Sequence, residues 1–150
     1  MNKKCINYSL IALLVIVCDR LSKWCIETHL DSTYELNSFL SLTKTINRGI
    51  SWGMFNETST TGFWFITALI ITICGVLIVH AYRRFATGQT IYGETLILAG
   101  GFSNLIDRIL FGGVLDFILF SYGSWSFPVF NIADAAIVLG ASIMILQTFE

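Results

Sequence analysis

The segment TGFWFITALIITICGVLIVHAY, residues Thr61 to Tyr82, contains no acidic residue, no lysine and no arginine. As a helix rising about 1.5 Å per residue it would span roughly 30 Å, the thickness of the hydrocarbon core of a bilayer. This segment therefore predicts a membrane-spanning helix, and the chain on both sides of it repeats the same pattern.

Three further apolar segments are long enough to cross a bilayer, at about residues 8–26, 90–110 and 132–149. The whole chain is 55% hydrophobic and only 13% charged, with a mean hydropathy of +0.71, whereas soluble domains carry about 25% charged residues. We therefore predict an all-α integral membrane protein with four transmembrane helices, forming one domain over residues 1–150.

Basic residues indicate the orientation of these helices. Lys3 and Lys4 precede the first predicted span, and Arg83 and Arg84 lie between the second and third. Since short cytoplasmic segments carry an excess of lysine and arginine, both termini are expected in the cytoplasm. The two other connections, at about residues 27–60 and 111–131, would then face outward.

The two outward connections differ in composition. In the first, a β-like stretch at residues 40–43 and a turn at residues 47–49 predict a small amphipathic sheet between helices 1 and 2. Trp52, Met54 and Phe55 follow and would lie on the membrane surface. The second is rich in glycine and aromatic residues, and we expect it to form an interfacial aromatic belt through Tyr122, Trp125 and Phe127.

Composition also argues against several functions. The net charge is −1 and no basic patch is present, so nucleic acid is not an expected partner. No CxxC pair occurs among the four cysteines, which are interpreted as small apolar residues rather than as disulfides or a zinc site; they are Cys5, Cys18, Cys25 and Cys74.

The N-terminus resembles a signal peptide only in having Lys3 and Lys4 before an apolar run. Val17 stands where a lipoprotein-type signal would have a small residue before its cysteine, and the apolar pattern continues to Ile26. We therefore expect a retained membrane span.

Polar residues within the predicted spans need partners, because a charge at the centre of a membrane helix costs about 2.5–3.5 kcal/mol. Asp19 and Lys23 are one helical turn apart and could simply neutralise each other. In the third span Gly100, Asn104 and Arg108 form a stripe with a spacing of four residues. The glycine would allow close helix packing.

Two aspartates fall on the outward side. Asp116 stands in an apolar run, where desolvation should raise its pKa. If Asn131 caps the fourth helix, Asp134 occupies the third helical position, where an acid also favours the helix dipole without any catalytic role. Two carboxylates meeting at a membrane surface nevertheless match aspartyl proteolysis, in which one accepts a proton and the other donates one.

Other catalytic chemistries are less well supported. His29 and His80 are predicted on opposite sides of the membrane, which disfavours serine or cysteine catalysis that depends on a histidine base. The sequence contains neither an HExxH motif nor a Cys/His cluster, which are the patterns that indicate a zinc site. No metal is therefore expected.

Five motifs in order resemble those of the lipoprotein signal peptidases. The first is Asp19-Arg20-Leu21-Ser22-Lys23, and the second is Asn47-Arg48-Gly49-Ile50-Ser51-Trp52-Gly53. The others are Asn104-Leu105-Ile106-Asp107-Arg108, Val114-Leu115-Asp116-Phe117 and Phe130-Asn131-Ile132-Ala133-Asp134-Ala135. Each motif alone is weak, but together they cover almost the whole chain.

The resemblance implies cleavage of a diacylglyceryl-modified prolipoprotein just before its lipidated cysteine, at the outer face of the bacterial cytoplasmic membrane. It also implies that no cofactor is needed and that globomycin inhibits the enzyme, and we expect a monomer in contact with membrane lipid. Asp116 and Asp134 would form the catalytic dyad. Substrate-binding or supporting roles would fall to a larger set: Asn47, Gly49, Asn104, Arg108, Asn131, Asp19 and Lys23.

Within this dyad, the apolar surroundings of Asp116 favour its neutral form, and the helix N-terminus favours the ionised form of Asp134. We therefore predict Asp134 as the base toward water and Asp116 as the acid toward the carbonyl.

One position departs from the family pattern. Ser103 precedes Asn104, where family members commonly have glycine, and we expect a slightly different helix contact with function retained.

Two alternatives stay open at this stage. A non-catalytic four-span membrane subunit or transporter would explain the intramembrane polar residues as bundle contacts. A metal-dependent lipid transferase could use Asp107, Asp116 and Asp134 as Mg²⁺ ligands, and would be distinguished by its sensitivity to chelators.

Overall fold

The computed structural model describes residues 3–49 and 60–149 and consists of four helices and four strands. In chain order the elements are α1 Lys3–His29, β1 Tyr34–Asn37, β2 Leu40–Asn47, α2 Thr60–Ala86, α3 Tyr92–Phe111, β3 Val114–Tyr122, β4 Trp125–Ser126 and α4 Ile132–Leu146. Trp52, Met54 and Phe55, together with residues 50–53 of the second motif, lie outside the described residues.

The four predicted helices are present, with ends within a few residues of those expected. Two of them, α1 and α2, are long and apolar enough to cross a membrane by length and composition. Helix α4 is apolar but has only 15 residues, and α3 has 20 residues that include Glu94, Asp107 and Arg108. The chain is therefore mostly helical, with two clearly apolar spans.

The prediction of an all-α chain, with a β-like region only between helices 1 and 2, was wrong in its extent. The four strands form one antiparallel sheet in the order β1-β2-β3-β4. The two later strands come from the segment that was predicted as an aromatic loop. Strand β3 pairs with β2 over most of its length, with Leu40 opposite Phe120 and Asn47 opposite Val114. The sheet thus joins the two connections that were predicted to face outward.

Helix α3 lies at the centre of the bundle and packs against α1, α2 and α4. Its contact with α4 is the closest, because Gly100 lies directly against the backbone of Ala133. A Cβ atom at Gly100 would collide with the Ala133 carbonyl oxygen. The predicted role of Gly100 in close helix packing is confirmed.

The two ends of the bundle have different chemistry. At one end, called here the basic end, the Lys4 Nζ atom donates a hydrogen bond to the Gly88 carbonyl at 3.2 Å. At the same end an Arg84 guanidinium nitrogen donates to the Gln147 side-chain oxygen at 3.0 Å. The sheet lies at the opposite end, called the sheet end. Both chain termini therefore lie near the basic residues that were used to predict orientation.

Candidate active site

A tight connection between α3 and β3 places the first aspartate. Helix α3 ends at Gly112, whose φ of 68° is in the left-handed region and whose N–H donates to the Arg108 carbonyl. This ending is typical of helix C-termini, where glycine adopts such a φ without strain. Two residues later β3 begins, and Asp116 is its third residue.

Asp116 is buried, with 2% of its surface exposed. The Asn47 amide nitrogen donates to one carboxylate oxygen at 3.0 Å, and the Asn131 amide nitrogen donates to the other at 2.6 Å. Burial and the nearby charge of Asp134 raise the pKa of Asp116 to about 7, although the two amide donors and the more distant Lys23 lower it. The carboxyl group can therefore be neutral at physiological pH, as the sequence predicted.

Asp134 lies in the first turn of α4, which begins with a capping box. The Asn131 side-chain oxygen accepts a hydrogen bond from the Asp134 N–H at 2.9 Å, and an Asp134 carboxylate oxygen accepts from the Asn131 N–H at 3.3 Å. The predicted cap is confirmed. The other carboxylate oxygen accepts from the Asn104 amide at 2.8 Å. Asp134 thus has a structural role and also faces a polar neighbour on α3.

Asn131 connects the two aspartates and is completely buried. Its side-chain oxygen caps α4 through Asp134, while its amide nitrogen donates to Asp116. Asn131 therefore holds both carboxylates, that of Asp116 through its side-chain amide nitrogen and that of Asp134 through its backbone N–H.

The two carboxyl groups line a common cavity of about 150 Å³. This volume has room for a few water molecules but not for a drug-sized ligand. Polar groups from four elements of the fold meet apolar walls there. The lining residues are Asn47, Ile70, Gly101, Asn104, Arg108, Val114, Asp116, Asp134 and Ile137.

Comparison with known proteins adds a family to this geometry. A family model described as Signal peptidase (SPase) II matches residues 11–150, which include all the predicted site residues. The chain belongs to this family. Membership in the signal peptidase II family makes the chain a bacterial membrane peptidase, in agreement with its apolar helices.

Curated relatives agree with this assignment. The lipoprotein signal peptidase of Burkholderia cenocepacia is 38% identical over 141 residues, covering 90% of this chain and 82% of that protein. The lipoprotein signal peptidase of Mesorhizobium japonicum is 36% identical over 144 residues, covering 93% and 83%.

Solved structures share the fold. One bacterial membrane enzyme, determined by the in meso method at 2.3 Å resolution, superposes with a TM-score of 0.77 at 27% identity. The match covers 95% of this chain and 87% of that one. A second, at 1.9 Å resolution, gives a TM-score of 0.75 at 28% identity and covers 96% and 93%.

A second polar cluster lies beside the cavity of this signal peptidase II family member. The predicted Asp19–Lys23 pair is present at 2.7 Å, and Lys23 also contacts Asp107 at 2.7 Å and the Asn104 side-chain oxygen at 3.1 Å. Arg20 forms a further ion pair with Asp107. Asp107 and the neighbouring Arg108 are only 2% and 3% exposed.

Asp19 links this cluster to the start of α4. One of its carboxylate oxygens accepts from the Ala133 N–H at 3.0 Å, and the other accepts from the Ser103 hydroxyl at 2.6 Å. Ser103 is completely buried. The hydroxyl that replaces the usual glycine therefore has a definite partner, which sequence reasoning missed.

Arg108 connects the cavity to the segment between α1 and α2. Its guanidinium group donates to the Gly49 carbonyl and, at 3.4 Å, to the Arg48 carbonyl. The Gly49 N–H donates to the Asn47 side-chain oxygen at 2.9 Å. The guanidinium carbon atoms of Arg48 and Arg108 lie 5.5 Å and 5.4 Å from the centre of the Phe63 ring, within cation–π range.

The structure brings some predicted residues together and separates others. Asn47, Asn104, Arg108, Asp116 and Asp134 line the cavity, and Asn131 bridges the two aspartates. Gly49, Asp19 and Lys23 are not among the lining residues, but they contact residues that line the cavity or adjoin it. Asp107, by contrast, points into the ion-pair cluster.

This separation bears on the metal alternative. Because Asp107 is occupied by Lys23 and Arg20, it does not join Asp116 and Asp134 as a third carboxylate. Within residues 3–49 and 60–149, no group of three or more potential ligand side chains is arranged to hold a metal ion.

Sequence reasoning also missed a buried carboxylate at the basic end. Glu94 is completely buried, and its Oε1 atom lies 3.3 Å from the Arg84 Nε atom and 3.5 Å from the His80 Nε2 atom. A glutamate inside a predicted span was the available signal, because such a residue requires a partner.

Proposed function

We propose that the chain is an aspartic endopeptidase of the bacterial cytoplasmic membrane that cleaves prolipoprotein signal peptides just before the lipidated cysteine. The family assignment supports the peptidase activity and the class of substrate. The aspartic mechanism and the roles of individual residues rest on the physical arguments that follow.

One observation carries this proposal: two carboxyl groups share a small cavity, and one of them has a pKa of about 7. An aspartic peptidase needs one neutral and one ionised carboxyl group at the same time. Their mutual repulsion favours the singly protonated pair, which titrates in two macroscopic steps.

In the proposed reaction Asp134 is the base and Asp116 is the acid. A water molecule attacks the scissile carbonyl carbon while ionised Asp134 takes its proton and neutral Asp116 protonates the carbonyl oxygen. The resulting gem-diol returns a proton to Asp116 as the C–N bond breaks, and the leaving nitrogen takes the proton from Asp134. Both carboxyl groups end in their starting states.

The neighbouring polar groups would position the dyad and the peptide. Asn131 and Asn104 hold the two carboxylates, so that neither has to reorient during the reaction. Arg108 and Asn47 stand at the cavity wall, where they can hydrogen-bond to the peptide backbone of a substrate. The Asp19–Lys23 pair supports Asn104 from α1.

We further propose four membrane spans, with both termini in the cytoplasm and the dyad at the outer face. The grouping of Lys4, Arg84 and Gln147 at the basic end supports this orientation. Impermeant labelling of a single cysteine, Ala86→Cys on a cysteine-free background, tests it. We expect labelling only after permeabilisation, and strong labelling from outside would contradict this topology.

An apolar cavity of about 480 Å³ next to the dyad supports recognition of a lipidated substrate. Asp134 lies at its edge, and Phe127, Phe130 and Val138 are among the apolar residues of its wall. Burying an acyl chain contributes about 0.8 kcal/mol per CH₂ group. We also propose that the enzyme acts as a monomer surrounded by membrane lipid.

The test uses purified protein in detergent with lipidated and unlipidated forms of the same precursor, with and without a chelator. We expect cleavage of the lipidated form only, unchanged by the chelator. Equal turnover of the unlipidated form would contradict the proposed substrate. Loss of activity with the chelator would favour the metal alternative.

A further inference from the structure

The structure contains a groove between α2 and α4 that the proposed chemistry does not use. Both helices pack extensively against α3, whereas they make only sparse contact with each other. The surface of α3 between them is therefore the floor of an open channel. Ile97 of α3 forms part of this floor.

The walls of this groove are apolar along two matched helical stripes. On α2 the stripe is Ile70, Ile73, Leu77 and His80, and on α4 it is Asp134, Ile137, Ala141 and Met144. Both stripes have spacings of three and four residues, which keep side chains on one face of a helix. The deeper part of the groove has a volume of about 570 Å³.

One end of the groove opens at the proposed dyad. Ile70 and Ile137, which lie toward the sheet end of the two stripes, also line the cavity that holds Asp116 and Asp134. A polypeptide in the groove would therefore pass directly to the two carboxyl groups.

The other end of the groove is polar. His80 is the last residue of the α2 stripe, and it faces the buried Glu94 beside Arg84. From Ile70 to His80 the helix rises by about 15 Å. The apolar region of a signal peptide has about 7–15 residues, which as a helix occupy roughly 10–22 Å. The apolar part of the groove is therefore about as long as this helix, and it ends at His80.

We propose that the groove between α2 and α4 binds the apolar helix of the signal peptide and thereby sets the position of the scissile bond. This inference rests on the proposed function, since it names where the substrate of the dyad lies. The basic segment before the apolar helix would then emerge beyond His80. The acyl chains would occupy the separate cavity beside Phe130.

Photolabelling tests the placement. We introduce Val76→p-benzoylphenylalanine, on the groove wall, or Ile78→p-benzoylphenylalanine as the control, each in an Asp116→Asn background. Val76 is 67% exposed and lines the groove, whereas Ile78 is 45% exposed, lies at nearly the same depth and points to another face of α2. With lipidated precursor in detergent, we expect a crosslink to the apolar region of the signal peptide from position 76 and none from position 78.

Three results would overturn the inference: equal crosslinking from both positions, no crosslink from position 76, or a crosslink from position 76 to the acyl chains. The crosslink reports the place of the peptide whether or not cleavage occurs. Failure of the groove is therefore distinguishable from failure of the aspartic mechanism, which would appear as turnover by the Asp116→Asn enzyme.

A kinetic comparison provides a second measurement. Val76→Trp should narrow the groove and raise KM about tenfold with kcat nearly unchanged, since it obstructs binding rather than chemistry. Ile78→Trp should change both parameters by less than about twofold. Equal effects of the two substitutions, with both proteins folded, would also contradict the groove.

Discussion

Two pairs of aspartates lie side by side at the sheet end of the bundle, and the two pairs contact different kinds of side chain. Asp19 and Asp107 contact cations directly, through Lys23 and Arg20. Asp116 and Asp134 are held by the amides of asparagines, and neither forms an ion pair with a described residue. All four belong to the same residue type and occupy neighbouring positions.

The difference teaches how one polar region can separate structural carboxylates from those of the proposed dyad. A cation at 2.7 Å, such as Lys23 beside Asp19, holds a carboxylate strongly in place, so that the carboxylate acts as a fixed support. An amide donor stabilises the charged form less, so burial can keep the pKa of Asp116 near 7. The partner of each aspartate, rather than its burial alone, distinguishes the ion-paired aspartates from the proposed dyad.

The largest effect is expected from removing a proton carrier. Asp116→Asn and Asp134→Asn should each reduce cleavage by at least about a thousandfold while the thermal transition stays near that of the native protein. Asp107→Asn is the matched control and should retain measurable activity, because Asp107 contacts cations instead of the cavity. Substantial turnover by either folded dyad variant would end the aspartic mechanism.

Loss of the shared cation should mainly affect folding. Lys23→Met leaves Asp19 and Asp107 with fewer cationic partners, and breaking such a buried ion pair costs about 3–5 kcal/mol. We expect a clearly lower thermal transition in detergent, partly restored in the double variant Lys23→Met, Asp107→Asn. Lys44→Met, at an exposed lysine, should change little. A Lys23→Met protein as stable as the native one would show that this cluster does not support the fold.

The dependence of cleavage on pH should reveal which pair titrates. The pKa of Asp116 is raised, so its neutral form dominates below about pH 7 and is lost as the pH rises through this value. We therefore expect kcat/KM to fall with an apparent pKa near 7, which belongs to the pair. Asn47→Ala removes a donor to the Asp116 carboxylate and should move this fall to higher pH.

Asn37→Ala is the control for that pH profile. Asn37 is an asparagine of the same sheet whose side-chain oxygen accepts hydrogen bonds from the nearby backbone N–H groups of Phe39 and Leu40. This substitution should leave the profile in place. A shift to lower pH in Asn47→Ala would contradict the assignment of Asp116 as the acid.

The smallest effect is expected at Ser103. Ser103→Gly removes one hydrogen bond to Asp19, but Lys23 and the Ala133 N–H still hold that carboxylate. Cleavage should change by no more than about threefold, because serine and glycine both permit close helix approach and the other partners keep the Asp19 carboxylate in place. Asn104→Ala should reduce cleavage far more, because Asn104 contacts Asp134, Asn131 and Lys23. A larger loss of cleavage in Ser103→Gly than in Asn104→Ala would mean that Ser103 has a further role.

Much of the helical architecture could be predicted because long apolar segments are a strong signal. Strand β3 was missed because Val114 to Phe120 is an almost continuous apolar run without the alternation of a half-exposed strand. Its partner β2 lies about seventy residues earlier in the chain. Pairing over such a distance leaves no local trace in the sequence.

The candidate site could be predicted in its members but not in its connections. Motif order indicated Asp116, Asp134, Asn104 and Asn131, and the cap at α4 followed from local spacing. The ion pair between Arg20 and Asp107 could not be derived, because it depends on how α1 and α3 are rotated against each other. The same is true of Ser103 and Asp19. Local rules place residues on helices, whereas packing decides which faces meet.

The dual role of Asn131 also restricts how inhibitor resistance could arise. Its side chain starts α4 and holds Asp116 at the same time. A compound that hydrogen-bonds to Asn131 would therefore engage a position where almost any replacement weakens the fold and also disturbs the proposed dyad. Point mutations that escape such a compound should arise elsewhere, on the apolar walls, where residues can change size without losing a hydrogen bond.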